Sequence, residues 1–488
     1  MKSSSPHPIW AVKHRTPGTE LRLIKGKYYL YSVSSKWDSV KKKSVKITGQ
    51  ILGRITEDAG FVPSEKARLK KIASDPFALN TPSIYEFGAS RFILDLANVW
   101  LALLNKHFGE DAKLIFVLAF IRLAYQSAIK NMPLYLNNSY LKTHFNITNF
   151  TDKSISDFLN KLGQNRNEIV NFMQSFMNES KMVLIDMTDI TSYSKKMDLP
   201  HIGYNNRMDF NPQVNLLYIF TAKEQMPTYY RLVAGNIKDV KAFALSIKES
   251  GLRNAIVVAD KGFYSTSNIN LVKSEKLKII IPLRRDNSLI DYSPQNIAAK
   301  NLWDGNFKYN DKFIWYHTSG NAEQKVYLYL DDTLRVEEEH DYLNRVEKKP
   351  EKYSMEGFMQ KQRVFGTIAI LVYGVDMAPR EIYEDYKSRN NIEVMYDAYK
   401  NVLQADRTYM QNEKTLEGWQ FINHIAMQWY YLIYHKLKQT NLLKKYSVAD
   451  ILLILRQIKK IKVGDNMCTA EITKATSKLL DQLNLPIT

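Results

Sequence analysis

Two short apolar runs, each followed by an aspartate, constrain the fold more than any other feature of the sequence. Residues 183–185 lead into Asp186, and residues 255–259 lead into Asp260. Continuous apolar, β-branched runs of this length are typical of strands in a sheet that is covered on both faces. An acidic residue at the end of such a strand lies at the rim of the sheet, where ligands of open α/β folds bind. The sequence therefore predicts an α/β core with two carboxylates at one edge.

A third acidic residue, Glu393, belongs to a segment whose spacing fits a helix. Tyr386, Arg389, Glu393 and Lys400 follow the pattern Tyr-x2-Arg-x3-Glu-x6-Lys. At about 100° per residue, the other three side chains lie within roughly 60° of Tyr386 on one helical face. One carboxylate among two cations and a phenol suits a site that holds a metal ion beside a phosphate. The carboxylate binds the metal, and the other groups bind phosphate oxygens.

This spacing resembles the signature around the third acidic residue of DDE transposases from bacterial and archaeal insertion sequences. The segments 260–265 (Asp-Lys-Gly-Phe-Tyr-Ser) and 235–239 (Gly-Asn-Ile-Lys-Asp) also resemble motifs of that family. The resemblance covers roughly residues 180–435. It implies an RNase H-like catalytic domain, a mixed sheet flanked by helices, with Asp186, Asp260 and Glu393 as its catalytic and metal-binding residues.

The reaction of such an enzyme explains why it needs three carboxylates. In-line attack on a phosphodiester requires charge neutralisation at the attacking and leaving oxygens, which two Mg²⁺ or Mn²⁺ ions about 3.5–4 Å apart provide. Hard cations of this kind prefer carboxylate oxygens. The resemblance further implies cut-and-paste movement, in which a homodimer pairs two inverted-repeat transposon ends, cuts them and joins them to target DNA. No nucleotide cofactor is expected, since the sequence has no P-loop or Rossmann glycine pattern.

Simpler interpretations remain open for each part of the pattern. An aspartate after an apolar strand is commonly a turn or helix-cap residue. Asp189 is a second candidate for the first position, but in a continuing strand it points to the face opposite Asp186. Tyr386, Arg389 and Lys400 are also compatible with an ordinary surface ladder of charges around Glu393.

Two other functions also remain open. One is a domesticated relative that binds DNA without cutting it, and the other is an RNase H-like nuclease. The acidic trio argues against the first, because a DNA-binding protein has no physical need for three clustered carboxylates. Transfer of a 3′-hydroxyl end into a plasmid distinguishes a transposase from a nuclease.

The composition fits a nucleic-acid enzyme in a reducing compartment. The chain has 68 Lys+Arg and 50 Asp+Glu, a formal net charge of +18, and such a charge attracts polyanions. The single cysteine, Cys468, excludes an intrachain disulfide and a cysteine zinc cluster. The strongest apolar run stops at Arg122, well short of the ~18 residues of a membrane span. We therefore expect a cytoplasmic, nucleoid-associated protein without a membrane segment or signal peptide.

The pattern along the chain predicts several domains. Residues 21–33 and 45–55 alternate as strands around a turn-like segment, and the pattern becomes helical from residue 83. Catalytic strands are predicted near 182–187, 213–221, 227–234, 255–259 and 277–283. The predicted domains are an N-terminal β module (1–82), a helical domain (83–178), the first part of the catalytic domain (179–286), a β-rich insertion (287–375), the second part of the catalytic domain with the glutamate helix (376–440), and a C-terminal helical region (441–488).

Several basic residues outside this pattern are candidates for DNA contact. The cluster Lys41, Lys42 and Lys43 is either a contact to the DNA backbone or a solvated hairpin tip. Lys261 directly follows Asp260. Arg284 and Arg285 follow a predicted strand, where they either bind phosphate or cap a loop.

Two aromatic residues in the predicted insertion are candidates for handling a distorted base. Trp303 and Trp315 are the only tryptophans between Asp260 and Glu393. An aromatic ring replaces the stacking that a base loses when it leaves the duplex. The alternative is that both rings fill a small β core.

Overall fold

The computed structural model describes residues 7–38, 41–64, 83–148, 150–177, 181–203, 205, 210–296, 300–463 and 466–485. The chain divides into two compact units. One contains Met1–Ile84 and Ile461–Cys468, and the other contains Tyr85–Lys460 and Thr469–Thr488. Three short strands contain points where the chain passes from one unit to the other: Ser83–Glu86, Lys459–Val463 and Asn466–Thr469.

The first unit is built on a four-stranded antiparallel sheet with the strand order β1-β2-β3-β4. Its strands are Thr19–Ile24 (β1), Lys27–Asp38 (β2), Lys43–Thr56 (β3) and Gly60–Pro63 (β4), and a short helix spans Ile9–Val12. A small core forms where the helix packs on one end of the sheet, around Ala11, Leu21, Leu30 and Ile55.

The strands of this unit differ from the sequence prediction in two places. The predicted strand at 21–33 is two strands, because the chain turns at Lys25 and Gly26, which both adopt positive φ. In the turn-like segment between the two predicted strands, residues 36–38 belong to β2, since Lys36 pairs with Val45 of β3. Lys41 and Lys42 occupy the turn and Lys43 begins β3, and all three are exposed.

The second unit contains a ten-stranded mixed sheet, of which five strands match the predicted catalytic strands. These five are Met182–Ser192 (β6), Gln213–Thr221 (β7), Met226–Ala234 (β8), Ile256–Ala259 (β9) and Lys278–Pro282 (β10). The label β5 is used for Ser83–Glu86, which is not part of this sheet. They lie in the order β8-β7-β6-β9-β10. The β6–β7 and β7–β8 pairs are antiparallel, whereas β9 runs parallel to both β6 and β10.

The predicted β-rich insertion continues the same sheet. Three aromatic-rich runs form the strands Gly305–Tyr309 (β11), Lys312–Gly320 (β12) and Gln324–Asp331 (β13). Strand Thr367–Tyr373 (β14) joins them to β10, so the order continues β10-β14-β13-β12-β11. The charged segment after β13 forms the helix Asp332–Lys348.

Helices flank this sheet, and its centre is buried. Every residue of β7 is buried, as is typical of a strand in a sheet that is covered on both faces. The helices before the sheet are Gly88–Leu96, Asn98–Phe108, Asp111–Tyr125, Met132–Asn138, Tyr140–His144, Asp152–Gln164 and Arg166–Gln174. Those after β8 are Asp239–Ser250, Thr266–Ser274, Met355–Lys361, Pro379–Lys387, Asn390–Asp397, Glu413–Gln439, Val448–Leu455 and Lys474–Gln482.

In the helical region after residue 83, apolar residues at four-residue spacing pack in or against the core, although the helix is interrupted at Ala97: Phe92, Leu96, Trp100 and Leu104. Among the described residues, no single helix is long and apolar enough to cross a membrane. The bent pair Asp111–Tyr125 and Ile129–Asn138 reaches that threshold together, by length and composition only.

Two glycines allow the long helix Glu413–Gln439 to approach the helix Asp152–Gln164. A Cβ atom on Gly418 would collide with the carbonyl oxygen of Leu159, and one on Gly163 would collide with the carbonyl oxygen of Lys414. Backbone atoms on both sides leave neither helix room to adjust locally. The contact therefore requires glycine at both positions.

We expect Gly418→Ala to destabilise the protein by about 1–3 kcal/mol, because the added methyl group forces the two helices apart. Denaturant-induced unfolding measures the change. Lys161→Ala is the control: its exposed ion pair with Asp111, at 2.7 Å, is worth about 1 kcal/mol or less. A Gly418→Ala protein as stable as this control would contradict the close-packing argument.

Candidate active site

The two aspartates lie side by side because of the register between two parallel strands. Ile185 of β6 is opposite Ala259 of β9. The next residue on each strand is an aspartate, Asp186 on β6 and Asp260 directly after β9. Parallel strands present equivalent positions at the same edge of a sheet. The strand pairing thus places the two residues side by side, but the prediction that Asp186 ends its strand is wrong, because β6 continues to Ser192.

Strand β6 continues past Asp186 to Ser192, where β7 still pairs with it. Asp189 is three residues beyond Asp186, so the two side chains point to opposite faces of the sheet. Asp186 interacts electrostatically with Asp260 and Glu393, whereas Asp189 lies 3.6 Å from the ammonium group of Lys400. This arrangement favours Asp186 for the first position.

The segment with Tyr386, Arg389, Glu393 and Lys400 is not the single regular helix that the spacing predicted. One helix ends at Lys387 and the next begins at Asn390. At the junction, the N–H of Arg389 donates to the carbonyl of Tyr386 and that of Ile392 donates to the carbonyl of Arg389, both at 3.1 Å. These bonds span three residues rather than four, so the junction is wound more tightly than an α-helix.

The end of the segment departs from the prediction in the opposite direction. Residues Ala398–Val402 form a turn of π-helix, in which the N–H of Leu403 donates to the carbonyl of Ala398. Lys400 lies in this wider turn. Its ammonium group lies 3.6 Å from Asp189, and the π-helical turn interrupts the regular helical face that the spacing predicted for Lys400.

Arg389 connects two of the three acidic residues. Its Nη1 lies 3.2 Å from Oδ2 of Asp186, and its Nη2 forms an ion pair with Oε1 of Glu393. Only 17% of the Arg389 side chain is exposed. Burial opposes its charge, but Asp186, Asp260 and Glu393 together raise the pKa of Arg389. The carboxylates thus keep this guanidinium charged.

The carboxyl group of Asp186 is strongly perturbed. Burial, together with the nearby charges of Asp260 and Glu393, raises the pKa of Asp186 to about 7. Arg389 opposes this effect, as does the N–H of Met187, which donates to Oδ1 of Asp186 at 2.9 Å. Accumulated negative charge in a partly buried cleft is typical of sites that bind a cation.

Tyr386 lies beside Arg389 and is partly buried. Burial raises the pKa of the Tyr386 phenol, while Arg389 lowers it and Asp260 raises it. Tyr386 and Arg389 are therefore close to the acidic residues, as the spacing predicted. Neither is part of a simple solvated ladder of charges, because Asp186 is 203 positions away from Arg389 in the chain.

The donor atoms suit a divalent cation. Asp186, Asp260 and Glu393 offer carboxylate oxygens, the ligands that Mg²⁺ and Mn²⁺ prefer. Within the part of the chain that the structure describes, no group of three or more acidic, histidine or cysteine side chains is already arranged to hold a metal ion. The positive charge between Asp186 and Glu393 is instead that of Arg389.

Sequence reasoning missed a fourth carboxylate, that of Asp239. Burial raises the pKa of Asp239, and the charge of Asp260 raises it further. Gly262 makes this approach possible, because a Cβ atom there would collide with Oδ2 of Asp239. Asp239 ends the Gly-Asn-Ile-Lys-Asp segment and Gly262 belongs to the Asp-Lys-Gly-Phe-Tyr-Ser segment. The signal was thus present in both motifs, but only the fold brings them together.

Sequence reasoning also missed Tyr396, which connects the Glu393 helix to strand β6. Its hydroxyl donates to the carbonyl of Asp186 at 2.6 Å and accepts the N–H of Tyr218 at 3.2 Å. Asp186 and Tyr218 are paired residues of β6 and β7, so the hydroxyl bonds to both strands at the position of the catalytic candidate. Tyr396 is three residues after Glu393, and therefore the helix that carries one carboxylate is fixed to the strand that carries another.

The other basic candidates lie in different environments. Arg284 and Lys261 are exposed. Arg285 donates to the carbonyl of Thr367 and forms a 2.9 Å ion pair with Glu338. Arg285 therefore fits the loop-capping alternative.

The two tryptophans fit the core-filling alternative. Trp303 is buried in the main core, with 7% of its surface exposed, and Trp315 is half-buried against the same core. The ammonium group of Lys300 lies 5.9 Å from the ring centre of Trp303 and 5.6 Å from that of Trp315. A role for either ring in base stacking stays a prediction.

We expect Tyr396→Phe to destabilise the protein by about 1–3 kcal/mol, because it leaves the carbonyl of Asp186 and the N–H of Tyr218 without a buried partner. Denaturant-induced unfolding measures the change. Tyr434→Phe, on the long helix that ends at Gln439, is the control, since this tyrosine is only partly buried. Equal stability of the two variants would show that the Tyr396 hydroxyl does not connect helix and strand.

Comparison with known proteins assigns the family. The family model described as "Transposase DDE domain" matches residues 178–458, more than half of the chain. A piggyBac transposase synaptic complex with hairpin DNA is similar in structure at 10% identity, covering 71% of this chain and 70% of that chain with a TM-score of 0.42.

A Mos1 transposase paired-end complex is also similar at 10% identity, covering 32% of this chain and 58% of that chain with a TM-score of 0.15. No curated protein sequence matches the chain. The family match and the acidic residues at the sheet edge lead to one conclusion: the chain belongs to the DDE transposases and is a DNA transposase, a polynucleotidyl transferase and endonuclease.

Proposed function

We propose that Asp186, Asp260 and Glu393 are the catalytic residues of this transposase and cut DNA at transposon ends. The observation that carries the proposal is the convergence of three segments distant in sequence. Asp186 and Asp260 are neighbours across a parallel strand pair, and Arg389 binds both Asp186 and Glu393. Such a cluster costs folding free energy, because like charges repel one another in a partly buried cleft.

We also assign the catalytic region to the RNase H-like fold. The supporting features are the strand order β8-β7-β6-β9-β10, with three antiparallel strands followed by two parallel ones. In this proposal, β11 to β14 are an addition at the β10 edge. The first acidic residue then comes from the first strand of the fold, and the second follows its fourth strand.

DDE transposases generally use divalent metal ions. We propose two Mg²⁺ or Mn²⁺ ions held by Asp186, Asp260 and Glu393, with Asp239 close enough to add to the negative potential. When bound, the ions supply charge neutralisation at the attacking and leaving oxygens of the phosphodiester. The protein's own contribution is to hold the carboxylates in place. Tyr396 and the register of β6 with β9 provide that positioning.

The basic and phenolic side chains of the glutamate segment have a separate role in this proposal. Arg389, Tyr386 and Lys400 contact backbone phosphates near the cut, which positions DNA without reading its sequence. The net charge of +18 attracts both transposon-end DNA and target DNA. We propose that a homodimer pairs two ends, so that both are cut and inserted together.

We expect Asp186→Asn, Asp260→Asn and Glu393→Gln each to reduce cleavage to background, because an amide cannot replace the charge of a metal-binding carboxylate. The substrate is a plasmid carrying the inverted repeats that flank the coding region. Asp397→Asn is the control: it is one turn beyond Glu393 on the same helix and exposed. Chelation of metal should stop cleavage by the wild type, while binding to the ends persists.

Cleavage by any of the three variants at the rate of the control would remove that residue from the catalytic set. Incubation of pre-cut ends with a target plasmid separates the alternatives. Joined products identify a transposase, and cleavage without joining identifies a nuclease. Binding to the ends without either reaction identifies a non-cleaving relative.

A further inference from the structure

A large open groove lies near the end of the Glu393 segment. It has a volume of about 1060 Å³, and its walls include the basic side chains of Lys130, Lys153, Lys400 and Arg407 and the ring of Tyr409. We call this cavity the basic groove, after these side chains in its walls. Lys400 pairs with Asp189 at 3.6 Å, and Asp189 is three residues beyond Asp186 on β6, roughly 10 Å along an extended strand. The groove therefore begins close to the candidate active site.

The ring of Tyr409 is presented to solvent as a flat surface. Its ring centre lies 4.9 Å from that of Tyr193, with only 9° between the two planes. The short strand Arg407–Thr408 (β15) pairs with the end of β6, and the N–H of Tyr193 donates to the carbonyl of Thr408 at 2.9 Å. Adjacent strands thus fix both rings. One face of Tyr409 is stacked, yet 68% of the residue remains exposed.

A buried guanidinium adds positive charge beneath the groove. Arg122 is 3% exposed. Its guanidinium carbon lies 5.0 Å from the ring centre of Trp419. In the described structure its hydrogen-bond acceptors are neutral: the amide oxygen of Asn423 and the carbonyl oxygens of Ser127, Leu403 and Gln404. Since these groups carry no negative charge, the positive charge of Arg122 remains available to an anion in the groove.

Acidic residues occupy part of the same walls. Asp152, Asp157 and Asp406 also line the groove. Asp406 is 3.3 Å from Arg407, but 59% of the Arg407 side chain is exposed, so its guanidinium has further N–H donors for a phosphate. Asp152 and Asp157 lie on the helix Asp152–Gln164, which also carries Lys153. The five basic side chains of the walls, including Arg122, outnumber the three acidic ones, so the groove favours a chain of phosphates.

An aromatic ring with an exposed face favours single-stranded nucleic acid over a duplex. In a duplex the faces of the bases are covered by their neighbours, whereas an unpaired base has a free face that stacks on an aromatic ring. Cations that follow the backbone together with such a ring are the features of a site for single strands. The groove combines both features.

We propose that the basic groove binds a single-stranded segment of DNA adjacent to the cut, with its phosphates near Lys400 and Arg407 and one base stacked on Tyr409. The proposal rests on the proposed function, since cleavage of a DNA strand near Glu393 creates the free end whose nucleotides can unpair. Its test is a binding measurement, and it can fail while the cleavage activity stands.

The test measures binding of a fluorescent oligothymidine, and separately of a duplex, to the full-length protein without metal. We expect Tyr409→Ala to weaken oligothymidine binding about 5- to 150-fold, the loss of one stacked base, and to change duplex binding much less. Tyr409→Phe is the matched control, because it retains the ring, and it should bind like the wild type. Lys153→Gln should lower the salt dependence by about 0.7 units of log–log slope.

Two results would overturn the proposal. One is equal binding of oligothymidine by the wild type and Tyr409→Ala. The other is an equal loss for oligothymidine and duplex, which would assign the groove to duplex DNA. Because Tyr409 is exposed, matching unfolding curves of the three proteins establish that the comparison concerns binding. A parallel assay of transposon-end cleavage by the wild type tests the proposed function independently.

Discussion

The parallel pairing of β6 with β9 is the constraint on which the candidate active site depends. The register that places Ile185 opposite Ala259 makes the following aspartates neighbours. A shift of one residue would separate them and turn one carboxylate to the other face of the sheet. The buried apolar residues of both strands fix this register, because a slip would expose them. Hydrophobic burial thus determines the position of the charged groups.

The Glu393 helix is held against this strand pair by two polar contacts of different kinds. The Tyr396 hydroxyl bonds to the backbone of β6 and β7, and Arg389 forms ion pairs with Asp186 and Glu393. The first contact is largely buried and independent of charge. The second balances carboxylates that would otherwise repel one another. Together they explain how the chain tolerates an acidic cluster whose burial raises the pKa of Asp186 to about 7.

The sequence predicted those features that depend on local pattern. The five catalytic strands and the insertion strands were found where apolar and aromatic runs indicated them. The register of β6 with β9 makes the two aspartates neighbours, although Asp186 lies within its strand and not at the end. The single helical face predicted for Glu393 and Lys400 was wrong, since the projection assumed 3.6 residues per turn throughout. A tight junction near Arg389 and a π-helical turn at Ala398–Val402 both break that assumption.

Other features depended on contacts between segments distant in the chain. Tyr396 resembles any buried helical aromatic residue until β6 is placed beside it. Asp239 becomes part of the site only because Gly262 lacks a side chain. The tyrosine pair in the groove depends on a two-residue strand, β15, which has too little sequence to be predicted. Such features can be identified only from the tertiary structure, since they leave no periodic pattern in the sequence.

The central claim is that Asp186, Asp260 and Glu393 form one metal-binding site at the edge of this sheet. Anomalous X-ray diffraction at the manganese edge, from crystals of the protein with a transposon end and Mn²⁺, tests it most directly. The account predicts anomalous peaks within about 2.0–2.6 Å of the carboxylate oxygens of all three residues. Peaks bound elsewhere, or a site that omits Asp186 or Asp260, would contradict it.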